Sequence, residues 1–455
     1  MTYLDCADFI LITPLFAGFL LFSVVKIKTM TMQASSTTST ANPTFADITT
    51  IGVGGKITRF VEPKTRVAVI EAVEDADEAN LPLCVIGGGS NMLVSDLDFN
   101  GVVVRDARRA INVLDEAAPA EDGVDAKTGA NIVHVNAEAG CNWDDFVTYA
   151  INLGLEGVEG LSGIPGTVGA SVVQNIGAYG QEVSQSVTSV EVWDRKNKVT
   201  LELSKDQLHF GYRTSALKQS MYASAGVPSD SYFPTPRYVV LSVTFCLKHS
   251  DTGVVAHSQL ARALKVEVGE RMKTSVIRRE VLRVRASKGM LEDALRYKNQ
   301  WMCGTKSAQS VDIALKLQSE DYITGEFLQG DNLYSDRHSC GSFFMNPVMT
   351  RAEADLLPED APHFEALLPD GSKGVKTSAA WLIDHAGFHK GFRLSKNGEV
   401  SAAGLSSLHT LALTNRNNAS SSDVLSLAKT VIDGVRNKFG VTLIPEPVLI
   451  GLSVN

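Results

Sequence analysis

Residues 157–180, GVEGLSGIPGTVGASVVQNIGAYG, hold seven glycines and one charged side chain, Glu159. Each glycine loses more backbone freedom on folding than any other residue, so this stretch should make a poor helix and a poor strand. What it offers is bare N–H groups that can come close to a ligand. Ser162, Thr167, Ser171, Gln174 and Asn175 add polar side chains. Pyrophosphates and similar anions are bound in this way where no lysine is at hand. A tight glycine corner between strands is the plainer reading of the segment taken alone.

A second cluster changes the balance. Leu83-Cys84-Val85-Ile86 is a short apolar run, followed by Gly87-Gly88-Gly89-Ser90-Asn91 and then Met92-Leu93-Val94. The pattern predicts a strand, a glycine turn and a strand. No amphipathic helix opens after these glycines, so the Rossmann fingerprint is excluded, and Gly52-Val53-Gly54-Gly55 fails the same test. Two glycine turns joined to β-rich segments suggest a dinucleotide held by loops between strands. In this the chain resembles the FAD-binding domains of the vanillyl-alcohol-oxidase superfamily. Many members tether FAD through a histidine, and neither cluster contains one, so the resemblance implies non-covalent FAD. The implied cofactor contacts are Gly87, Gly88, Gly89, Ser90 and Asn91, with Ile164, Pro165, Gly166, Val168, Gly169, Ala170 and Asn175 from the long stretch.

Further motifs follow in order: Phe210-Gly211-Tyr212-Arg213-Thr214-Ser215, Gly341-Ser342-Phe343-Phe344-Met345-Asn346-Pro347, Ala379-Ala380-Trp381-Leu382-Ile383-Asp384 and Ile444-Pro445-Glu446. With the glycine stretch, they make the chain similar to the UDP-N-acetylenolpyruvoylglucosamine reductase family from about residue 43 onward. The resemblance implies an α+β protein: a two-part, PCMH-like FAD-binding unit (43–108 and 109–288) and a C-terminal α/β substrate-binding domain (289–455). Within these, the sequence reads as helical over 67–79, 259–286 and 421–439, with a last strand over 441–454. The family pattern breaks at about 291–331, where some forty residues containing Trp301, Cys303 and the helix-like 307–317 are inserted. An insertion there is expected to be a surface excursion, with a lid or partner-binding role as the alternative.

The implied reaction has two halves. NADPH reduces FAD, and hydride then passes to C3 of the enolpyruvyl group of UDP-N-acetylglucosamine-enolpyruvate while a proton is added at C2. The product is UDP-N-acetylmuramate, a peptidoglycan precursor. Such chemistry needs a cofactor for hydride, an acid for C2 and fixed charge near the carboxylate. By resemblance Ser342 is the acid, Arg213 and Glu446 flank the carboxylate, and Tyr212, Lys288 and Asn346 contact substrate. Each has a plain alternative: a turn serine, an ion-pair arginine, a core tyrosine, a helix-end lysine, an Asn-Pro turn. Glu446 sits between Pro445 and Pro447, which stiffen its segment. The family usually has a β-branched residue in place of Pro447, so its strand should be an edge or unpaired there. His257 stands where relatives often carry a nucleotide-covering tyrosine.

At 455 residues the chain is long enough for two or three domains, and 44% hydrophobic with 20% charged residues belongs to a folded protein. The net charge of −9 argues against nucleic acid or an anionic membrane as partner. Small-molecule substrates, a monomer and a cytoplasmic setting are expected. Six scattered cysteines, without CxxC or zinc spacing, read as reduced thiols, and no metal is implied. The basic residues of 271–285 read as a solvated helix face except near Lys288. Phe9–Val25 is uncharged, but a span needs roughly 20 apolar residues, and its lysines, Lys26 and Lys28, follow it. Residues 1–42 are therefore expected outside the fold, with Met30 or Met32 as an alternative start. Two rivals remain: a flavin oxidase of small hydroxy acids or sugar lactones, which needs neither Ser342 nor Glu446, and a membrane-tethered scaffold.

Overall fold

A threonine opens the first long helix: the Thr65 side chain accepts the Ala68 N–H at the head of Arg66–Glu78. In the computed structural model, which describes residues 42–115, 131–222, 234–319, 336–368 and 370–454, Val69, Val73 and Ala76 of this helix are buried. They pack with Leu83, Val102 and Val104 of a parallel three-stranded sheet. Phe99–Val104 is its centre, between Ile57–Val61 and Leu83–Val85. The central strand reads as a near-continuous apolar run because both of its faces are covered.

The second sheet is antiparallel, in the order Val199–Ser204, Val187–Asp194, Tyr238–His249, Ile132–Glu138, Ile111–Val113. Against it lies the helix Trp143–Asn152, whose N-cap Asn142 accepts from Asp144 and Asp145. Trp143, Phe146 and Phe245 fill the space between them as a packed ring cluster. The C-terminal part has two small antiparallel sheets, around Lys373–Lys376 and around Glu399–Leu405. The helix Ser421–Phe439 lies with them, between a Ser420/Asp423 capping box and Gly440 at φ +71°. Its Val424, Leu427, Ala428, Val431 and Val435 recur at helical spacing and are all buried.

The chain end then returns. Val448–Ile450 pairs in parallel with Met92–Val94, Val448 opposite Met92, which delivers Glu446 to the first glycine turn. The mix of a parallel sheet, antiparallel sheets and helices is the expected α+β class.

Several local expectations are corrected. The long glycine stretch contains a helix, Val168–Gln174, capped by Thr167 and ended by Asn175 at φ +48°. Its one internal glycine, Gly169, sits where an added Cβ would meet the Ala139 Cβ at 2.7 Å, so the missing side chain serves packing. The basic segment 259–286 is two helices, Ser258–Leu264 and Thr274–Ser287, separated by the short strand Arg271–Lys273. Lys265 at φ +58° ends the first helix. Arg278 on the second is buried against Asp144 at 2.6 Å, so this face is not wholly solvated. The last strand is only Val448–Ile450, because Pro445 and Pro447 remove donors upstream; Pro447 itself stands outside the ladder.

The segment expected as an insertion is, over its described residues 291–319, not a surface excursion. Ala294, Met302, Lys306, Ala314 and Leu317 are buried. Its helix, Ala308–Leu317, begins at Ser307, whose N–H and hydroxyl both donate to Asp145. Arg105 donates to Trp301 O, and Trp301 packs edge-on to Phe60. Among the described residues no helix is long and apolar enough to cross a membrane. The apolar run Phe9–Val25 lies outside them.

Candidate active site

The two glycine segments meet face to face. A Cβ on Gly88 would lie 2.8 Å from Gly166 Cα, which the backbone cannot accommodate, and Gly89 is at φ +65° against Ile48 O. Ser90 Oγ donates to Pro165 O at 3.2 Å and ties the turns together. They form one wall of a cavity of about 570 Å³, within the range of cofactor sites.

Of the sequence-predicted cofactor residues, Gly87, Gly88, Gly89, Ser90, Asn91, Ile164, Pro165, Gly166, Gly169 and Ala170 line it. Val168 and Asn175 do not. Val168 is wholly buried in the core. Asn175 spends its amide on Gly211 O at 2.8 Å, on Glu182 and on the Ser184 N–H.

The idea of a long run of free N–H groups needs narrowing. Gly157, Gly160, Gly163 and Gly169 all donate to protein oxygens: Glu159, Gln181, Asp144 and Ala139. The N–H groups of Gly87, Gly88, Gly89 and Ser90 instead donate to no acceptor among the described residues. Four adjacent unpaired donors in a tight turn, facing a second glycine turn, suit the phosphates of a dinucleotide. The residues present therefore fit FAD.

Three of the four distant motifs converge on the same cavity. Phe344 and Pro445 form an antiparallel bridge, and Glu446 N–H donates to Phe343 O at 2.8 Å, so the Ser342 and Glu446 segments run side by side. Arg213 is held at φ +54°, where its Nε meets Glu446 Oε1 at 3.0 Å and its Nη2 donates to Gly177 O at 2.8 Å. Both side chains are mostly buried, at 20% and 14% exposure, so the pair is only weakly screened. Ser342 is half-buried in the cavity wall, and its hydroxyl is bonded to no described residue.

Tyr212 and Asn346 stand behind this group and outside the cavity lining. The Tyr212 hydroxyl meets Asn346, and burial pushes the phenol up. Asn346 Oδ1 accepts the Ala379 N–H at 3.0 Å, anchoring the start of the helix Ala379–His385. Lys288 lines the cavity at the end of Thr274–Ser287 and donates to Gln259 at 2.7 Å. Burial, then Arg285 and Lys390, hold its pKa down. His257 is the N-cap of Ser258–Leu264, packs edge-on to Tyr179 and also faces the cavity.

Sequence reasoning missed Lys218. Its ammonium donates to Gln174 Oε1 at 2.7 Å and to Arg213 O at 3.2 Å, and Gln174 Nε2 in turn donates to Glu446 Oε1 at 3.1 Å. Burial lowers the Lys218 pKa, with the Glu446 charge opposing. A lysine five residues after Arg213, in the helical run Ala216–Tyr222, was the available signal. His409 was missed with no signal at all; it lines the cavity, and burial, Lys288 and Lys390 push it down to about 4.

A glycine-turn dinucleotide cradle opening onto an Arg–Glu pair and a free serine defines an FAD-dependent oxidoreductase. A family model described as "FAD binding domain" matches residues 57–201, and one described as "UDP-N-acetylenolpyruvoylglucosamine reductase, C-terminal domain" matches 333–450. The UDP-N-acetylenolpyruvoylglucosamine reductase of Cutibacterium acnes is 40% identical over 410 residues, covering 90% of this chain and 89% of that one. That of Thermobifida fusca is 38% identical over 429 residues, covering 92% and 100%, and that of Streptomyces coelicolor 37% over 417, covering 90% and 89%. The chain belongs to the UDP-N-acetylenolpyruvoylglucosamine reductase family.

Proposed function

We propose that the protein reduces UDP-N-acetylglucosamine-enolpyruvate to UDP-N-acetylmuramate with NADPH, in peptidoglycan precursor synthesis. The observation that carries this is the convergence of Ser342, Arg213 and Glu446, from three distant motifs, on a cavity that the glycine cradle also lines. Gly87, Gly88, Gly89 and Ser90 would hold FAD by their backbone N–H groups, and the bound flavin would supply the hydride, drawn from NADPH.

The chain's own residues supply the rest. The Ser342 hydroxyl, free of protein partners, holds the proton destined for C2 of the enolpyruvyl group. Serine is a weak acid, so the charge developing on the substrate carboxylate must be stabilised at the same moment. Arg213 does this: Glu446 and Gly177 O fix its guanidinium at two nitrogens, leaving it pre-aimed rather than mobile. Gln174 and Lys218 keep the Glu446 carboxylate in register with Arg213. Lys288 offers positive charge to the anionic nucleotide part of the substrate, while Tyr212 and Asn346 support the wall behind Arg213.

In this proposal residues 43–108 and 109–288 form the flavin unit and 289–455 the substrate-binding domain. The cluster around Phe245 is drawn from residues 111–247 alone, whereas the cluster around Val73 takes in Trp193, Val239 and Leu241, and the one around Leu427 takes in Ile51, Val53 and Leu93, so the parts share core across their boundaries. The protein acts as a monomer in the cytoplasm, where its nucleotide substrates are available.

The test is anaerobic. NADPH should bleach the bound flavin, and the enolpyruvyl nucleotide-sugar added afterwards should restore its absorbance. A flavin that returns only on admitting oxygen would instead point to an oxidase.

A further inference from the structure

The inserted segment carries a buried charge network that the reaction does not use. Glu292, 4% exposed, accepts from Arg296 Nη1 at 2.9 Å, Lys306 Nζ at 3.0 Å and Tyr297 OH at 2.7 Å. Arg296 spends its other terminal nitrogen on two carbonyls of the flavin half, Ile48 O at 2.8 Å and Gly88 O at 3.1 Å. Lys306 reaches on to Asp144 Oδ2 at 4.0 Å, and Asp144 Oδ1 accepts the Gly163 N–H at 2.7 Å. One network thus begins at the first glycine turn and ends at the second. Removing one partner from such a network leaves a buried charge uncompensated, and a network whose members are all satisfied rigidifies what it connects.

The contact at Gly88 has a directional consequence. In a trans peptide the carbonyl of one residue and the N–H of the next point opposite ways. With Gly88 O held on Arg296, the Gly89 N–H must face away from the insertion, and it is one of the donors without a protein acceptor.

We propose that Arg296 is a positioning residue of the flavin site: by fixing the Gly88–Gly89 peptide plane it presents the Gly89 N–H to the dinucleotide, which makes residues 291–319 part of the cofactor cradle. This rests on the cavity being the flavin site. Arg296 touches neither substrate nor reacting atoms, so its removal should appear in cofactor retention rather than in substrate recognition.

The experiment follows FAD release from the holoprotein as the rise of free-flavin fluorescence on dilution, for wild type, Arg296→Met and Arg296→Lys, with KM for the enolpyruvyl nucleotide-sugar measured alongside at saturating FAD. Arg296→Met should release FAD on the order of tenfold faster or more, as expected for losing charged hydrogen bonds to the turn. Arg296→Lys keeps the charge beside Glu292 but not the fork, and should fall between the two. KM should stay within about twofold. Should Arg296→Met fail to fold, the lysine variant decides by the same comparison. FAD release within about twofold of wild type in the folded variants, or KM rising in step with FAD loss, overturns the proposal and leaves the flavin site intact. A wild-type protein that holds no flavin overturns both.

Discussion

His409 should make this protein lose stability in mild acid by an amount its surroundings set. Its Nδ1 accepts the Leu411 N–H at 3.1 Å, so the ring is held as the neutral tautomer with that nitrogen bare. Burial, and then the ammonium groups of Lys288 and Lys390, oppose a positive charge and push its pKa from 6.5 to about 4. A group whose protonated form is disfavoured in the fold binds its proton mainly in the unfolded chain below pH 6.5. Stability is therefore fully present above about pH 6.5, is lost as pH falls toward 4, and levels off below. At roughly 1.4 kcal/mol per tenfold in proton affinity the whole window is worth about 3 kcal/mol, of which about 2 kcal/mol is gone by pH 5. In His409→Asn the amide oxygen can take the place of Nδ1 without titrating. The assay is thermal unfolding of the holoprotein at several pH values between 7.5 and 5. A unit of about four hundred residues unfolds with an entropy near 0.9 kcal/mol/K, so wild type should lose about 2 °C more in Tm than the variant over that range. Parallel Tm curves for the two proteins would refute the assignment, because every other titrating group is common to both.

In Ser342→Ala, NADPH should still bleach the flavin at close to the wild-type rate, while reoxidation by the enolpyruvyl substrate slows by on the order of a hundredfold or more. Stopped flow on each half separates these, and Ser342→Cys should recover part of the loss. Lys218→Met should leave Gln174 without its anchor and slow the same substrate half by roughly tenfold, with bleaching by NADPH little changed. Equal slowing of both halves would make Lys218 a packing residue. Acid treatment should release all the flavin. Although Cys84 and Cys340 line the cavity, burial pushes both thiols up to about 12 and leaves them poor nucleophiles; flavin left on the denatured chain would contradict non-covalent binding.

What the sequence determined by itself was largely local backbone behaviour and the order of its motifs. Glycine turns at 87–89, the capped helix Ser421–Phe439 and the stiff Pro445-Glu446-Pro447 segment follow from short-range sterics and hydrogen bonding, which a string of residues encodes directly. The resemblance carried by GSFFMNP and FGYR supplied candidate roles for Ser342 and Arg213, though not the contacts that would let them act. Those contacts only the tertiary structure decided. Gln174 reaches Glu446 across 272 residues of chain, and Arg296 reaches Gly88 across 208. A side chain's charge state, its free donors and its partners depend on what the fold packs around it, and no local pattern specifies that. The same reason accounts for the misread insertion. Lys306 and Glu292 lie in the segment expected at the surface, and are interior only because Asp144, Arg296 and Tyr297 arrive to pair them.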